Sequence, residues 1–300
     1  MTPREIIAEA WRITTHERAL WRWGFCASIF ETLLNIKLFI YQLYFLFEYL
    51  RGGQAGFFDI EIAIYNGMPH WFFWTFVITL CVLIVVEIFM PHFTSGAIIG
   101  LAAKAHRKEP LKGGMVLAMY NFFGIFVAHE VLVFSGWNMA LTTCSLILRY
   151  VDGSMKFALV WMAIGLWAIS SILKFFFSFA EEGIVIKKLS PFESMGRSGK
   201  LIFSYLGHVM FLLVLLMIIS LRILVNVLLI FLIPGIAVGM GIILTYIFAP
   251  LVSYIIATIL GLALVVLVSY FMAYLHVFKQ TVWTIMYLEL SQKKDLDIIE

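Results

Sequence analysis

Charge is what this chain has least of. Asp, Glu, Lys and Arg make up 13% of its 300 residues, against about a quarter in soluble domains. Hydrophobic residues make up 63%, and mean hydropathy is +0.99. A soluble fold could not hide that much apolar side chain, and exposed patches of that extent aggregate. The same composition excludes a disordered chain, which needs low hydrophobicity. Cysteine is scarce too. Cys26, Cys81 and Cys144 lie in separate apolar segments without ligand spacing. They frame no disulfide scaffold and read as small buried hydrophobes.

Catalytic motifs are missing as well. There is no P-loop, no Gly-x-Gly-x-x-Gly turn and no Gly-x-Ser-x-Gly. His16-Glu17 and His129-Glu130 each begin a zinc-protease pattern, but neither has its second histidine four residues on. The seven histidines are scattered. His92, His129, His208 and His276 are the ones that could meet in space, but lone capped or interfacial histidines are the commoner case. The expectation is a protein that is not an enzyme and holds no metal or cofactor. The net charge of +3 comes from bases that flank apolar runs. Such bases suit anionic lipid headgroups rather than nucleic acid.

What the chain does have is long apolar runs. About 20 helical residues cross a bilayer core of ~30 Å. Six stretches qualify, at about 24–49, 71–103, 115–148, 155–186, 201–233 and from 250 to beyond 271. The expected fold is all-α, a polytopic transmembrane bundle of six spans in a single domain without a soluble part. Pro234-Gly235 and Ala249-Pro250 interrupt the last long run, and the piece between them reads as a short connection or re-entrant turn, with a seventh span as the alternative.

Lysines and arginines give the orientation. Fifteen of the 21 lie in the N-terminal segment, the segments joining spans two to three and four to five, and the C-terminal segment. Arg51, Arg149 and Lys156 lie on the other side, and Lys37, Lys174 and Arg222 lie inside spans. This bias predicts an even number of crossings in the cytoplasmic membrane, with both termini cytosolic. The first 23 residues mix acids and bases and precede a full-length apolar run. They read as the approach to a retained anchor rather than a cleavable signal.

A threefold repeat is suggested by the starts of the pieces. Thr2-Pro3-Arg4-Glu5 and Ser190-Pro191-Phe192-Glu193 each place a hydroxyl at an N-cap, proline at the first helical position and glutamate at the third. Glu109-Pro110-Leu111-Lys112 is a degraded version. The proposed units are 1–105, 106–188 and 189–300, each an amphipathic piece followed by a transmembrane hairpin. In the first, Ile6, Ile7, Ala10 and Trp11 share one face and Glu5, Glu9, Arg12 and His16 another. Residues 3–20 thus read as a helix on the cytosolic leaflet, with a partner-binding or targeting helix as the alternative. The 190–200 segment, with Arg197 and Lys200 beside Gly196 and Gly199, reads as a connector or as a binding segment for an anionic lipid or a protein partner. Trp11, Arg12, Arg197 and Lys200 are the candidate interfacial or partner-binding residues. Two Gly-x-x-x-Gly pairs, Gly96/Gly100 and Gly235/Gly239, read as intramolecular helix packing.

Three motif sets carry a resemblance. The first is Ala10-Trp11, Leu20-Trp21 and Gly24. The second is Ala180-Glu181-Glu182-Gly183 followed by Ser190-Pro191-Phe192-Glu193 and Ser198-Gly199-Lys200-Leu201. The third is the stretch from Gln280 through Trp283 and Tyr287 to Leu290. Together they resemble a loose group of prokaryotic six-helix membrane proteins of unknown function. The best-named relative of that group is the membrane domain that precedes glycerophosphodiester phosphodiesterase catalytic domains. The resemblance implies fold and orientation. It implies no catalytic residues, because no polar stretch here is long enough to form the soluble barrel.

The remaining candidates are charges inside the spans: Lys37, Glu87, Glu130, Lys174, Glu181 and Arg222. A charge at mid-bilayer costs roughly 2.5–3.5 kcal/mol on insertion scales, so it should be paired, neutralised or wet. Lys37 is expected to pair with Glu87 or Glu130. Two functional classes follow. The first is a non-catalytic scaffold, assembly factor or subunit of a membrane complex, embedded in the lipid bilayer and possessing a protein partner. The second is a transporter or channel for a small solute, ion or lipid, with the charges forming a polar path and Lys174, Glu181 and His92 nearer its cytosolic end.

Overall fold

A computed structural model gives the architecture. It describes all residues except 53–55, 57, 58, 60, 61, 63, 64, 67, 68, 152 and 294–300. Among the described residues the regular structure is entirely helical. We number the helices α1 (Pro3–His16), α2 (Arg18–Leu50), α3 (His70–His106), α4 (Gly114–Glu130), α5 (Trp137–Tyr150), α6 (Met155–Phe176), α7 (Ala180–Lys187), α8 (Pro191–Ser204), α9 (Leu206–Thr245) and α10 (Pro250–Lys293). Four segments are long and apolar enough to cross a membrane: Arg18–Leu50, Phe73–His106, Met155–Lys187 and Ile255–Lys293.

The other two expected crossings take different forms. The 115–148 run is broken. α4 stops at Glu130, Val133–Ser135 forms a single 3-10 turn, and α5 begins at Trp137. The expected stop at Pro234 does not occur. α9 continues through Pro234-Gly235 to Thr245 and the chain turns at 246–249. The piece between the two prolines is therefore largely helix, neither a connection nor a re-entrant turn. α3 likewise runs through Pro91. A proline removes one N–H, but in an apolar medium the remaining backbone bonds have no water competing for them, so the helix persists. Beside Pro91, Thr94 Oγ1 donates to the Met90 and Pro91 carbonyls at 2.9 Å each.

The chain divides into two compact units. The first comprises Met1–Leu33, Met90–Val131 and Phe175–Glu300. Its core joins Ile6, Ala10 and Ile13 of α1 with Leu20, Ile98, Leu101, Phe179, Leu201, Leu212, Val282 and Ile285. Glycines permit the closest approaches. A Cβ on Gly24 would run into Val277, and one on Gly100 would lie 2.7 Å from Leu117 Cδ1. Gly96 faces the Leu117 carbonyl and Ile125 in the same way. That Gly-x-x-x-Gly pair packs α3 on α4. Gly235 and Gly239 differ from the expectation, because no atom would lie within 4 Å of a Cβ there. The second unit comprises Leu34–Phe89 and Leu132–Lys174. Among its described residues only Phe45 and Glu87 are buried.

The repeat is only partly visible in these elements. α1 and α8 both carry the hydroxyl–proline–acid start. Residues 107–113, which include Glu109-Pro110, form no helix, so the middle piece enters its apolar helix without an amphipathic one before it.

Candidate functional site: buried charges and a histidine cluster

In the second unit, Lys37 Nζ donates to Glu87 Oε2 at 2.6 Å. The Glu87 side chain is wholly buried and that of Lys37 is 25% exposed. The carboxylate is thus the enclosed end of the pair and the ammonium its partly exposed end. α2 and α3 supply one partner each. A second polar join links the same α2 to α5, where Gln42 Nε2 donates to Thr142 Oγ1 at 3.0 Å. Arg149 at the end of α5 lays its guanidinium 3.3 Å from the centre of the Phe45 ring and donates to Ser145 Oγ at 2.8 Å. A cation over an aromatic face is favourable by ~2 kcal/mol or more when water is excluded.

Glu130, the other expected partner for Lys37, belongs to the first unit. It ends α4 beside two imidazoles. Its Oε1 lies 4.0 Å from His92 Nε2 of α3 and 4.0 Å from His129 Nδ1. The two rings are 4.3 Å apart. One donor atom from each of the three residues falls within 4.8 Å of the others. His92 is buried and the other two are half-buried. Phe126 meets His92 edge-on at 5.7 Å and stacks on Phe122, so the cluster has an aromatic wall. Of the four histidines considered together from the sequence, two meet. His208 lies 6.4 Å from the Tyr205 ring, and His276 faces Glu31 at 3.9 Å.

The other charged candidates are placed differently from the expectation. Lys174 is exposed at the end of α6, and Glu181 is half-buried. The buried acid in that stretch is Glu182, at 1% exposure, which accepts from Gln280 Nε2 at 3.1 Å. The helical period turns Glu182 inward and its neighbour outward. The side chain of Arg222, on α9, lies outside the described residues. Ser198, read above only as part of a motif, and Ser194 join α8 to the bend between α6 and α7. Ser198 Oγ donates to the Phe176 carbonyl at 2.9 Å and accepts from the Phe179 N–H at 3.0 Å. Ser194 Oγ donates to the Ala180 carbonyl at 2.6 Å. Backbone groups freed by the bend thereby regain partners. A Cβ on Gly183 would collide with Ser194 Oγ.

α1 is shorter than residues 3–20 and sits differently. It ends at His16, Glu17 turns extended, and α2 starts at Arg18. Thr2 N–H donates to Glu5 Oε2 at 2.7 Å and Glu5 N–H to Thr2 Oγ1 at 3.4 Å, a complete capping box. Ile6, Ala10, Ile13 and Thr14 are buried in protein rather than laid on lipid. Trp11 is 56% exposed and only brushes the Phe278 ring at 5.6 Å. Positions 6, 10 and 13 define the inner face, and residue 11 is one helical step, about 100°, away from residue 10. Arg12 pairs with Glu9 at 2.5 Å, and that hydrogen bond holds the Glu9 carboxyl below its ordinary range. The 190–200 connector is in fact α8, with Met195, Leu201 and Ile202 buried. Its Arg197 pairs with Glu193 at 3.1 Å, and Lys200 is exposed.

No known protein family, curated protein or solved structure matches the chain.

Proposed function

We propose that this is a non-catalytic, multi-pass protein of the cytoplasmic membrane, with six crossings and both termini cytosolic, acting as a scaffold, assembly factor or subunit of a membrane complex. The supporting observation is the docking of α1 and α8. Both bury their apolar faces in the first unit's core. Both leave large side chains outward, with Trp11 at 56%, Phe192 at 68% and Phe203 at 69% exposure, beside Arg12 and Lys200. Aromatics and cations held outward on docked helices suit anionic lipid headgroups and a protein partner. The resemblance to a membrane domain that accompanies a catalytic domain accords with this role. Affinity purification in mild detergent tests it. A stoichiometric partner that is lost on Trp11→Ala/Phe192→Ala supports the reading, and recovery of the chain alone under crosslinking counts against it.

A transporter or channel is the second reading. The interruption of the 114–150 run directly after Glu130 favours it, because broken helices at polar clusters are how many transporters form ion sites. Flux of a small cation into proteoliposomes, abolished by Glu130→Gln, would establish that reading over the first.

A further inference from the structure

We infer that His92, His129 and Glu130 form a binding site for one divalent first-row transition-metal ion of the zinc class. The inference is independent of the scaffold reading. The donor set is two imidazoles and one carboxylate, with one donor atom from each inside a 4.8 Å group. Nitrogen and oxygen ligands sit ~2.0–2.2 Å from zinc, which places two ligands of a tetrahedral ion about 3.4 Å apart. The pairs here that stand at 4.0 Å close to that spacing by small side-chain rotations. Imidazole with carboxylate selects zinc, manganese, iron or cobalt over magnesium and calcium, which prefer all-oxygen sites. Three protein ligands leave a fourth position open, as in sites that exchange their ion or bind a further ligand.

The placement adds a second argument. His92 precedes Lys104 in the last turn of α3 by twelve residues, about 18 Å of helix, and His129 follows Gly114 at the start of α4 by fifteen, about 22 Å. The antiparallel pair thus brings the donors together deep in the apolar run, at the point where α4 ends. The last carbonyls of a helix carry partial negative charge and favour a cation there. Phe126 covers one side of the cluster, edge-on to His92, and is itself backed by Phe122.

The test uses the full-length protein in detergent, purified through a tag without histidine, stripped with chelator and titrated with Zn²⁺. One ion per chain is expected. His92→Ala and His129→Ala should each weaken binding at least tenfold, while His208→Ala leaves it unchanged. Because the alanine variants could fail to fold, Glu130→Gln keeps the shape and serves as the third arm, with the same weakening expected. Co²⁺ in place of Zn²⁺ should give visible d–d bands in the wild type that Glu130→Gln alters. Absence of stoichiometric Zn²⁺ binding in the folded wild type overturns the inference. So does binding that survives all three site substitutions, or that His208→Ala removes.

Discussion

Leu34–Phe89 with Leu132–Lys174 buries two described side chains, Phe45 and Glu87, and each faces a cation. The other unit buries a continuous apolar core that draws on α1, the start of α2, α3, α8, α9 and α10. The difference follows from the solvent. Lipid tails are as apolar as leucine, so helices surrounded by lipid gain little from apolar contact and are joined by polar pairs and close packing. In the second unit Trp71, Ile78, Val82, Phe157 and Trp161 all lie outward at 58% exposure or more. The first unit also holds the apolar span Ile255–Lys293, but there the long helices pack on shorter amphipathic ones and share a buried apolar core. Its serines and glycines serve close approach rather than charge.

The comparison predicts opposite responses to substitution. Lys37→Met should show the largest loss, about 3–5 kcal/mol, because it strands a buried carboxylate. Unfolding in mixed detergent micelles would measure it. Ile285→Ala in the first unit should cost about 2–5 kcal/mol through a cavity, whereas Ile78→Ala, on an outward face of the second, should stay within about 0.5 kcal/mol. Equal losses at Ile285 and Ile78 would erase the distinction between the units. Ser198→Ala should cost about 1–3 kcal/mol, since it leaves a backbone N–H and a carbonyl at the α6–α7 bend without that partner. Its readout is hydrogen exchange at Phe179 and Ala180.

The smallest effect belongs to α1. Thr2→Ala should cost about 0.5–2 kcal/mol of local helix stability. The Glu5 carboxyl is held below its ordinary range, first by the hydrogen bond from the Thr2 backbone N–H. A lowered folded value gives stability that is present above the unfolded range and lost as pH falls through the folded one. Protease access at the start of α1 should therefore rise below about pH 4. Glu5→Gln should flatten that rise.

Much of this was legible in the residues, and where it was not the reason is physical. Apolar length and composition pointed to long helices. Intramembrane charge pointed to Lys37 and Glu87, because neither has an inexpensive place in lipid unless paired. Proline misled at Pro234, since its rule comes largely from water-exposed helices. The break after Glu130 had only Gly136 to announce it, six residues late. By residue type Trp11 shares the apolar face with Ile6, Ile7 and Ala10, while the buried face runs through Ile6, Ala10 and Ile13 and leaves Trp11 outward. Glu181 and Glu182 differ only in angle about α7. A sequence with two adjacent acids does not say which one faces the core until the helix start, here Ala180, is known. The histidine cluster required the register of α3 against α4, which Gly96 and Gly100 set.

Whether a buried ion pair rather than apolar packing joins the second unit is decided by a double-mutant cycle on Lys37 and Glu87. Lys37→Met, Glu87→Gln and the double variant would be unfolded in the same lipid–detergent mixture. A coupling of at least about 2 kcal/mol is expected, with the double variant more stable than Lys37→Met alone. Losses that add to within about 0.5 kcal/mol would contradict it.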